Sequence, residues 1–517
     1  MVQYSNLNSK MVRDHYKNMA NLKGNENCLL IFRMSKFFLV FLLLFVFRYG
    51  FGQEVSSKID KKDLRTFVKT LTSTQFCGRD IDNEGQKKTQ ELIINRFKEL
   101  QIEPFFPEGY LENFSLHQTS RGEIYIKTQN NQKLRNFDRM VFEGAIKQKG
   151  EIEKEVVFGG YGTEEELNQI DVEDRFVLIF LINPREETTI KKRLEERNAN
   201  GLIFFQKDDK NFISMKRQLK EFHLKKRYSI AGRSDTIVHP IDPKFIEMLR
   251  NNPTINAIKI PGAEVKNIVG LSKSKLVNLA NKKKINEVLP TVISINFEQV
   301  EKMIETANVV GVIKGESEKS IVISAHYDHL GKAENLYYPG ADDNASGIAA
   351  LFELAEEFVQ YRNLNYTMIF LATTAEESGL LGSRYHVEQP YFTPEKIILN
   401  VNIDMISRCD NNHSDCKYLY YIGSKQSEIL DSLAIEANKV YPQYTFYYSE
   451  AGPDIFARSD GHSFKKKGIT SIMFFSGLHD DYHRPTDTMD KINFDILEKR
   501  IKLICEFLKL LQKEHFL

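Results

Sequence analysis

Residues Ile321–Gly347 read IVISAHYDHLGKAENLYYPGADDNASG. The run Ile321–Ala325 (IVISA) enters His326-Tyr327-Asp328 directly. A glycine-bounded turn, Gly340–Gly347, then opens a helical pattern over Gly347–Tyr361. A short apolar run followed by a turn and a helix is the signature of a buried parallel strand and its crossover. Working outward, TMIFLAT (Thr367–Thr373), IILNVNI (Ile397–Ile403) and ITSIMFF (Ile469–Phe475) repeat the strand signal. Helical runs recur at Lys425–Tyr441 and Phe494–Gln512. This alternation predicts an α/β fold, a mixed and mostly parallel sheet flanked by helices on both faces.

Open α/β sheets bind ligands beyond the carboxyl ends of their strands, and there the chemistry-bearing residues collect. The first strand ends at His326 and Asp328, TMIFLATTA runs into Glu376-Glu377, and IILNVNI runs into Asp404. The turn after the first strand carries Asp342-Asp343. The ITSIMFF strand is followed by GLHDDYHRPTDT with His483. Any one of these residues alone would read as structural, but five placements in one sheet pattern point to a site. Mixed imidazole and carboxylate donors suit zinc. A carboxylate shared by two ions makes a clamp for hydrolysis. Such a clamp needs one bridging ligand, two further ligands for each ion, and an unligated base.

His326-Tyr327-Asp328, GADDNASG, Glu376–Ser383 (EESGLLGS), Asn402-Ile403-Asp404-Met405 and Tyr482–Thr488 (YHRPTDT) together resemble the motifs of the co-catalytic di-zinc aminopeptidases. That superfamily also holds glutamate carboxypeptidase II, the transferrin receptor and the glutaminyl cyclases. The likeness spans roughly residues 305–517, and it implies the zinc exopeptidase fold with two Zn ions. It further implies that Asp343, preceding Asn344-Ala345-Ser346-Gly347, bridges both ions. His326 and Asp404 would complete one ion, and Glu377 and His483 the other. Glu376 would be the general base, and Asp328 would orient the His326 imidazole. Relatives often carry Ser-Asp-His before the final strand, whereas this chain reads Ser459-Asp460-Gly461-His462. His462 is therefore either shifted by one place or lost to the site. His329, His413 and His479 receive no role and read as surface or supporting residues.

The remaining chain divides by composition. Residues 60–105 read as helical, and the lead-in over 53–140 is expected to pack on the peptidase domain of 291–517. Between them, 141–290 alternates β-rich runs such as Val156–Gly162, Phe176–Ile182 and Gly201–Phe205 with charged segments. It looks like the protease-associated domain inserted in this superfamily. Lys282-Lys283-Lys284 reads as a solvated linker.

Phe37–Phe47 (FFLVFLLLFVF) is an apolar run of 11 residues between Lys36 and Arg48. It is too short to span a bilayer and fits a signal-peptide core, with cleavage expected after Gly52. Translation starting at Met34 would make the first 33 residues an upstream extension; a long basic leader is the other reading. Either way 1–52 is excluded from the fold, and the chain is expected to be exported, periplasmic or secreted, and bacterial. Export permits disulfides. Cys409 and Cys416, seven apart in a polar loop, are compatible with a local bridge or with free thiols, while Cys505 falls on the apolar face of a helix.

The chain holds 71 Lys+Arg against 70 Asp+Glu, a formal charge of +1. Residues 1–52 contribute seven basic and two acidic residues, so the remainder carries −4. That balance argues against a broad nucleic-acid surface. The expected partners are peptide substrates, with no nucleic acid and no membrane contact unless the apolar segment stays uncleaved. The leading expectation is an exported exopeptidase cleaving the N-terminal peptide bond with a metal-activated water. Dipeptidase or carboxypeptidase specificity stays open. The alternatives are a glutaminyl cyclase and an inactive receptor-like module.

Overall fold

The computed structural model describes residues 59–514, apart from 129, 145–148, 207–211, 213–215, 217–225, 234–252, 334–335, 362, 414, 424–426, 441–444 and 449–451. The apolar segment Phe37–Phe47 and the Gly52 boundary lie outside the described residues. Among the described residues, no helix is long and apolar enough to cross a membrane.

The chain enters through α1 (Lys61–Leu71) and α2 (Glu84–Glu99). Asn83 caps α2, its side chain accepting from the Gly85 and Gln86 N–H groups at 2.7 and 3.3 Å, which satisfies donors the first turn leaves free. The lead-in over 53–140, read as helical over 60–105, becomes strand beyond α2, where β1 (Leu111–Lys127) occupies its second half. The inward positions of β1 include Glu112 and Gln118 beside Phe114 and Leu116. Those buried polar residues blur the period-2 alternation that marks a strand.

Next come β2 (Val141–Glu143), β3 (Gly150–Phe158), β4 (Phe176–Leu181), α3 (Glu187–Glu196), β5 (Gly201–Gln206), β6 (Arg227–Ile230), β7 (Asn256–Ile260) and α4 (Lys273–Asn281). The long strand β8 (Thr291–Ile313) follows, then β9 (Ser320–His326), α5 (Gly347–Val359), β10 (Thr367–Thr373), α6 (Leu381–Val387) and β11 (Ile397–Ile403). The chain closes with β12 (Tyr418–Gly423), α7 (Glu428–Ala437), β13 (Thr445–Tyr448), α8 (Gly461–Lys466), β14 (Ser471–Phe475) and α9 (Phe494–Leu511). The helix expected from Lys425 starts at Glu428, where Ser427 caps it, and the last strand starts at Ser471, two residues later than expected.

One sheet runs in the order β13-β12-β14-β11-β9-β10-β8-β3-β4-β5-β7-β2. Pairs β14–β11, β11–β9 and β9–β10 are parallel, as are β3–β4, β4–β5 and β5–β7. The antiparallel strand β8 joins the two parallel sets: Thr291–Phe297 pairs with β3, and Val309–Ile313 pairs with β10. Strand β1 lies along β8 between these ends, and β6 pairs with β1.

Every residue of β9 is buried, and so are eleven of the thirteen in α5. α5 therefore packs within the core rather than lying across its surface. It joins α1, α2 and α9 over one face of the parallel set, around Ile323, Phe352, Phe370, Phe474 and Leu508. The segment 141–290 builds one core of its own, around Val177, Ile190 and Leu202, and shares a second, around Phe142, Phe158 and Phe176, with Ile124 and Ile126 of β1 and Ile293 and Ile295 of β8.

Candidate metal centre

The carboxyl ends of β9, β10 and β11 bring His326, Glu376-Glu377 and Asp404 together, and the turn before α5 adds Asp343. His326 Nε2 lies 3.4 Å from Asp343 Oδ1 and 3.4 Å from Asp404 Oδ1. On the other side of Asp343, His483 Nε2 lies 3.3 Å from its Oδ2 and 3.0 Å from Glu377 Oε2. Glu376 Oε2 stands 3.9 Å from His326 Nε2. All six residues predicted to hold or serve the ions thus converge, with Asp343 in the middle. Asp342 faces away. Its Oδ1 accepts from the Ser407 N–H at 2.8 Å, and its Oδ2 lies 3.1 Å from His479 Nε2. Asp343, rather than its neighbour, is thus the carboxylate that faces His326 and His483.

Asp328 corrects one expectation. Its carboxylate lies 3.8 Å from His326 Nδ1, beyond hydrogen-bond reach, and the imidazole nitrogen meets the Asp328 carbonyl at 3.2 Å. The carboxylate accepts instead from the Glu376 and Glu377 N–H groups at 3.1 and 3.3 Å. It is drawn across the strand end because two free N–H groups of the sharp loop after β10 point at it. That loop is shaped by left-handed backbone at Ala375 (φ 55°) and Leu380 (φ 60°), conformations that non-glycine residues adopt at a cost.

Several supporting residues carry weak sequence signals. Arg79, fully buried, donates to the carbonyls of Tyr327, Leu71, Pro339 and Gly340 at 2.7–2.9 Å. It ties the lead-in to both the β9 end and the metal turn. Asp487, inside the YHRPTDT motif, accepts from the N–H groups of Asp342 and Asp343 at 3.1 Å. Asn308 on β8 accepts from Thr374 N–H at 3.1 Å and donates to the Gly382 carbonyl at 2.9 Å, gripping both ends of the Glu376 loop. His329 is fully enclosed, with Nδ1 2.9 Å from Glu377 Oε1. His479 and His329 are thus buried supports, and His413 pairs with Asp410 at 2.8 Å away from the ions' place.

The donor set fits a pair of metal ions. His326, Asp343 and Asp404 form one group whose ligand atoms lie within 4.8 Å of one another; His329, Asp343 and Glu377 form another. Separations of 3.3–3.4 Å about Asp343 match ligands sharing a tetrahedral ion at roughly 2.1 Å. Asp343 Oδ2 and Asp404 Oδ1 are buried and accept no hydrogen bond, an arrangement costly unless a cation completes it. The electrostatics agree. Burial pushes the Glu376 carboxyl well above its ordinary range; His326 opposes that shift and Glu377 adds to it. Burial likewise raises Asp328 to about 7. Burial opposes a charge on His483, yet Glu377 and Asp343 raise that imidazole to about 10. Carboxylates outnumber cations here, and the protons they retain mark where positive charge belongs.

The cleft above these residues has an apolar wall of Met405, Ile455, Met473, Phe475 and Leu478, with Arg458 and Tyr482 among its polar lining. Arg458 donates to the Tyr482 hydroxyl at 3.0 Å, and the Tyr482 ring stacks on His483 with centroids 3.8 Å apart. Arg458, just before the Ser459–His462 stretch, lines the cleft; His462 does not, and its Nδ1 is buried without a partner. Cys409 and Cys416 are bridged, with Cα atoms 5.3 Å apart. Arg408, beside the bridge, pairs with Asp481 at 2.8 Å, two residues before His483.

Comparison with known proteins converges on the same segment. Residues 308–508 match the model of peptidase family M28. A probable leucine aminopeptidase of Arthroderma otae is 26% identical over 220 residues, 41% of this chain and 59% of that protein. Aminopeptidase YwaD of Bacillus subtilis is 26% identical over 215 residues, 38% of this chain and 43% of that protein. The chain thus spans about half the length of the curated relatives it matches. The solved structure of a Bacillus subtilis zinc aminopeptidase superposes with a TM-score of 0.51 at 16% identity, covering 89% of this chain and 97% of that one. That likeness establishes the fold. Within this chain, residues 308–508 are thus the part that is similar to peptidase family M28.

Proposed function

We propose that the chain is a zinc-dependent exopeptidase that hydrolyses the N-terminal peptide bond of peptides. The observation that carries this reading is the shared carboxylate Asp343, flanked by His326/Asp404 and Glu377/His483, with Glu376 beside the cleft. When bound, two zinc ions supply Lewis acidity to the scissile carbonyl and bring the pKa of water down to about 7. Glu376 takes the proton of the attacking water and returns it to the leaving amine. Asp328 holds the Glu376 and Glu377 backbone N–H groups, so that base and ligand keep separate directions although adjacent in sequence. The wall of Met405, Ile455, Met473, Phe475 and Leu478 would receive the side chain of the residue removed.

The apolar run Phe37–Phe47 and the Cys409–Cys416 bridge support export after Gly52, since disulfides persist in oxidising compartments. The β-rich segment 141–290, with one core of its own, supports the reading of a protease-associated insert.

Metal analysis combined with a panel of aminoacyl anilides tests the proposal. Two zinc ions per chain and release of free amine are expected. Glu376→Gln should keep both ions and lose about 10²–10⁴ in kcat. Cyclisation of N-terminal Gln with a single ion would overturn it.

A further inference from the structure

His329 lies outside the predicted ligand set, yet it is the most enclosed imidazole beside it, with a side-chain exposure of 0%. Its Nδ1 is 2.9 Å from Glu377 Oε1 and 3.8 Å from Asp343 Oδ2. Glu377 divides its oxygens, Oε1 to His329 and Oε2 to His483 at 3.0 Å. The two imidazoles differ in place. His483 is 34% exposed and lines the cleft, whereas His329 does neither. A carboxylate that serves as a metal ligand has no proton to donate, so the hydrogen between these groups sits on Nδ1. Gly340 holds φ +56°, and a Cβ there would stand 2.5 Å from His329 Cγ and Cδ2, so the imidazole packs closely against the glycine. The His329 N–H also donates to the Arg79 carbonyl at 3.3 Å.

We propose that His329 is a positioning residue for one ion of the pair: its Nδ1–H fixes Glu377 through Oε1, so that Oε2 is presented to the ion together with His483 and Asp343. This rests on the two-ion reading above. Supporting hydrogen bonds of this kind orient a metal ligand, and their loss typically weakens the metal by about 10–100-fold.

The experiment uses the full chain loaded with zinc and titrated with a competing chelator, with bound zinc counted at each step. Wild type should release two ions in two steps. His329→Ala should weaken one step by about 10–100-fold and leave the other unchanged. His329→Asn should restore the weakened step, because its amide nitrogen can take the place of Nδ1–H. Unchanged release from His329→Ala overturns the inference while leaving the two-ion reading intact. An Asn variant as weak as the Ala variant also overturns it, since the imidazole itself would then be the ligand. Wild type that binds a single ion removes both readings.

Discussion

Two charged clusters, one in each half of the sheet, are built from similar parts and come to opposite ends. In the 141–290 segment, Lys259 on β7 lies 2.8 Å from Glu143 and 3.0 Å from Glu187, and Lys191 on α3 lies 3.3 Å from Glu143 and 2.5 Å from Glu187. Two cations meet two carboxylates, and each of the four oxygens is used. The cluster closes on itself. Beyond β9, β10 and β11, carboxylates instead outnumber the imidazoles they face, and Asp343 Oδ2 and Asp404 Oδ1 are left without a hydrogen bond. Burial alone does not distinguish the two, since both are largely out of water. Charge balance does: a closed network is a structural tie, and an open one calls for a cation.

The comparison breaks first at its centre. Asp343→Asn should lose both ions and reduce anilide hydrolysis by more than about 100-fold, beyond what a supporting residue costs. Metal counting separates this from misfolding. Chelation of the wild type should lower its melting temperature as well, because ions that bind only the folded chain stabilise it by mass action.

In the closed cluster the consequence should be stability without chemistry. Lys259→Met leaves Glu143 and Glu187 short of a cation and should cost about 2 kcal/mol, discounted from a fully buried pair because the group is partly exposed. Denaturant midpoints would measure it, and zinc content should stay at the wild-type level.

Asn308→Ala should give an intermediate result. It removes the acceptor for Thr374 N–H and the donor to Gly382, at about 1–3 kcal/mol for the buried groups left unpaired. Because those bonds hold both ends of the Glu376 loop, kcat should fall by a larger factor than KM rises. Equal changes in both would assign Asn308 to the fold alone.

Glu353 sharpens the rule about orphaned carboxylates. Its Oε1 is also buried without a partner, but nearby Glu356 is committed to Arg96, and burial raises the Glu353 carboxyl to about 8. Its vacancy is filled by a proton. The folded chain therefore holds a proton here that the unfolded chain releases near the ordinary carboxylate range. Stability from this group is full below that range and is lost as pH rises towards about 8. Glu353→Gln should remove this part of the pH dependence, read from thermal melts across pH 5–8.

Much of the C-terminal half of the sheet is legible in the chain itself. Thr367–Thr373 and Ile397–Ile403 form strands over the predicted residues, because central parallel strands are apolar on both faces and need no phase to be recognised. Strand β1 was not legible, since Glu112 points inward to His386 at 3.0 Å and Asn308 at 2.6 Å, partners that lie 274 and 196 residues away. Arg79 and His329 share that difficulty. Nothing adjacent in sequence announces that a guanidinium will gather three distant carbonyls beside that of Leu71, or that the last His of HYDH will reach Glu377.

The sequence alone determined the strand ends, the order of the motifs and the residue types able to hold metal, because chemistry and periodicity are local properties. Only the tertiary structure decided which carboxylates are spent and which stay open. Asp342 is consumed by Ser407 and His479, Asp328 turns to the Glu376 loop, and Asp343 is left facing two histidines. A carboxylate's role depends on how many donors reach it, and those donors arrive from chain segments that meet only when the sheet is folded.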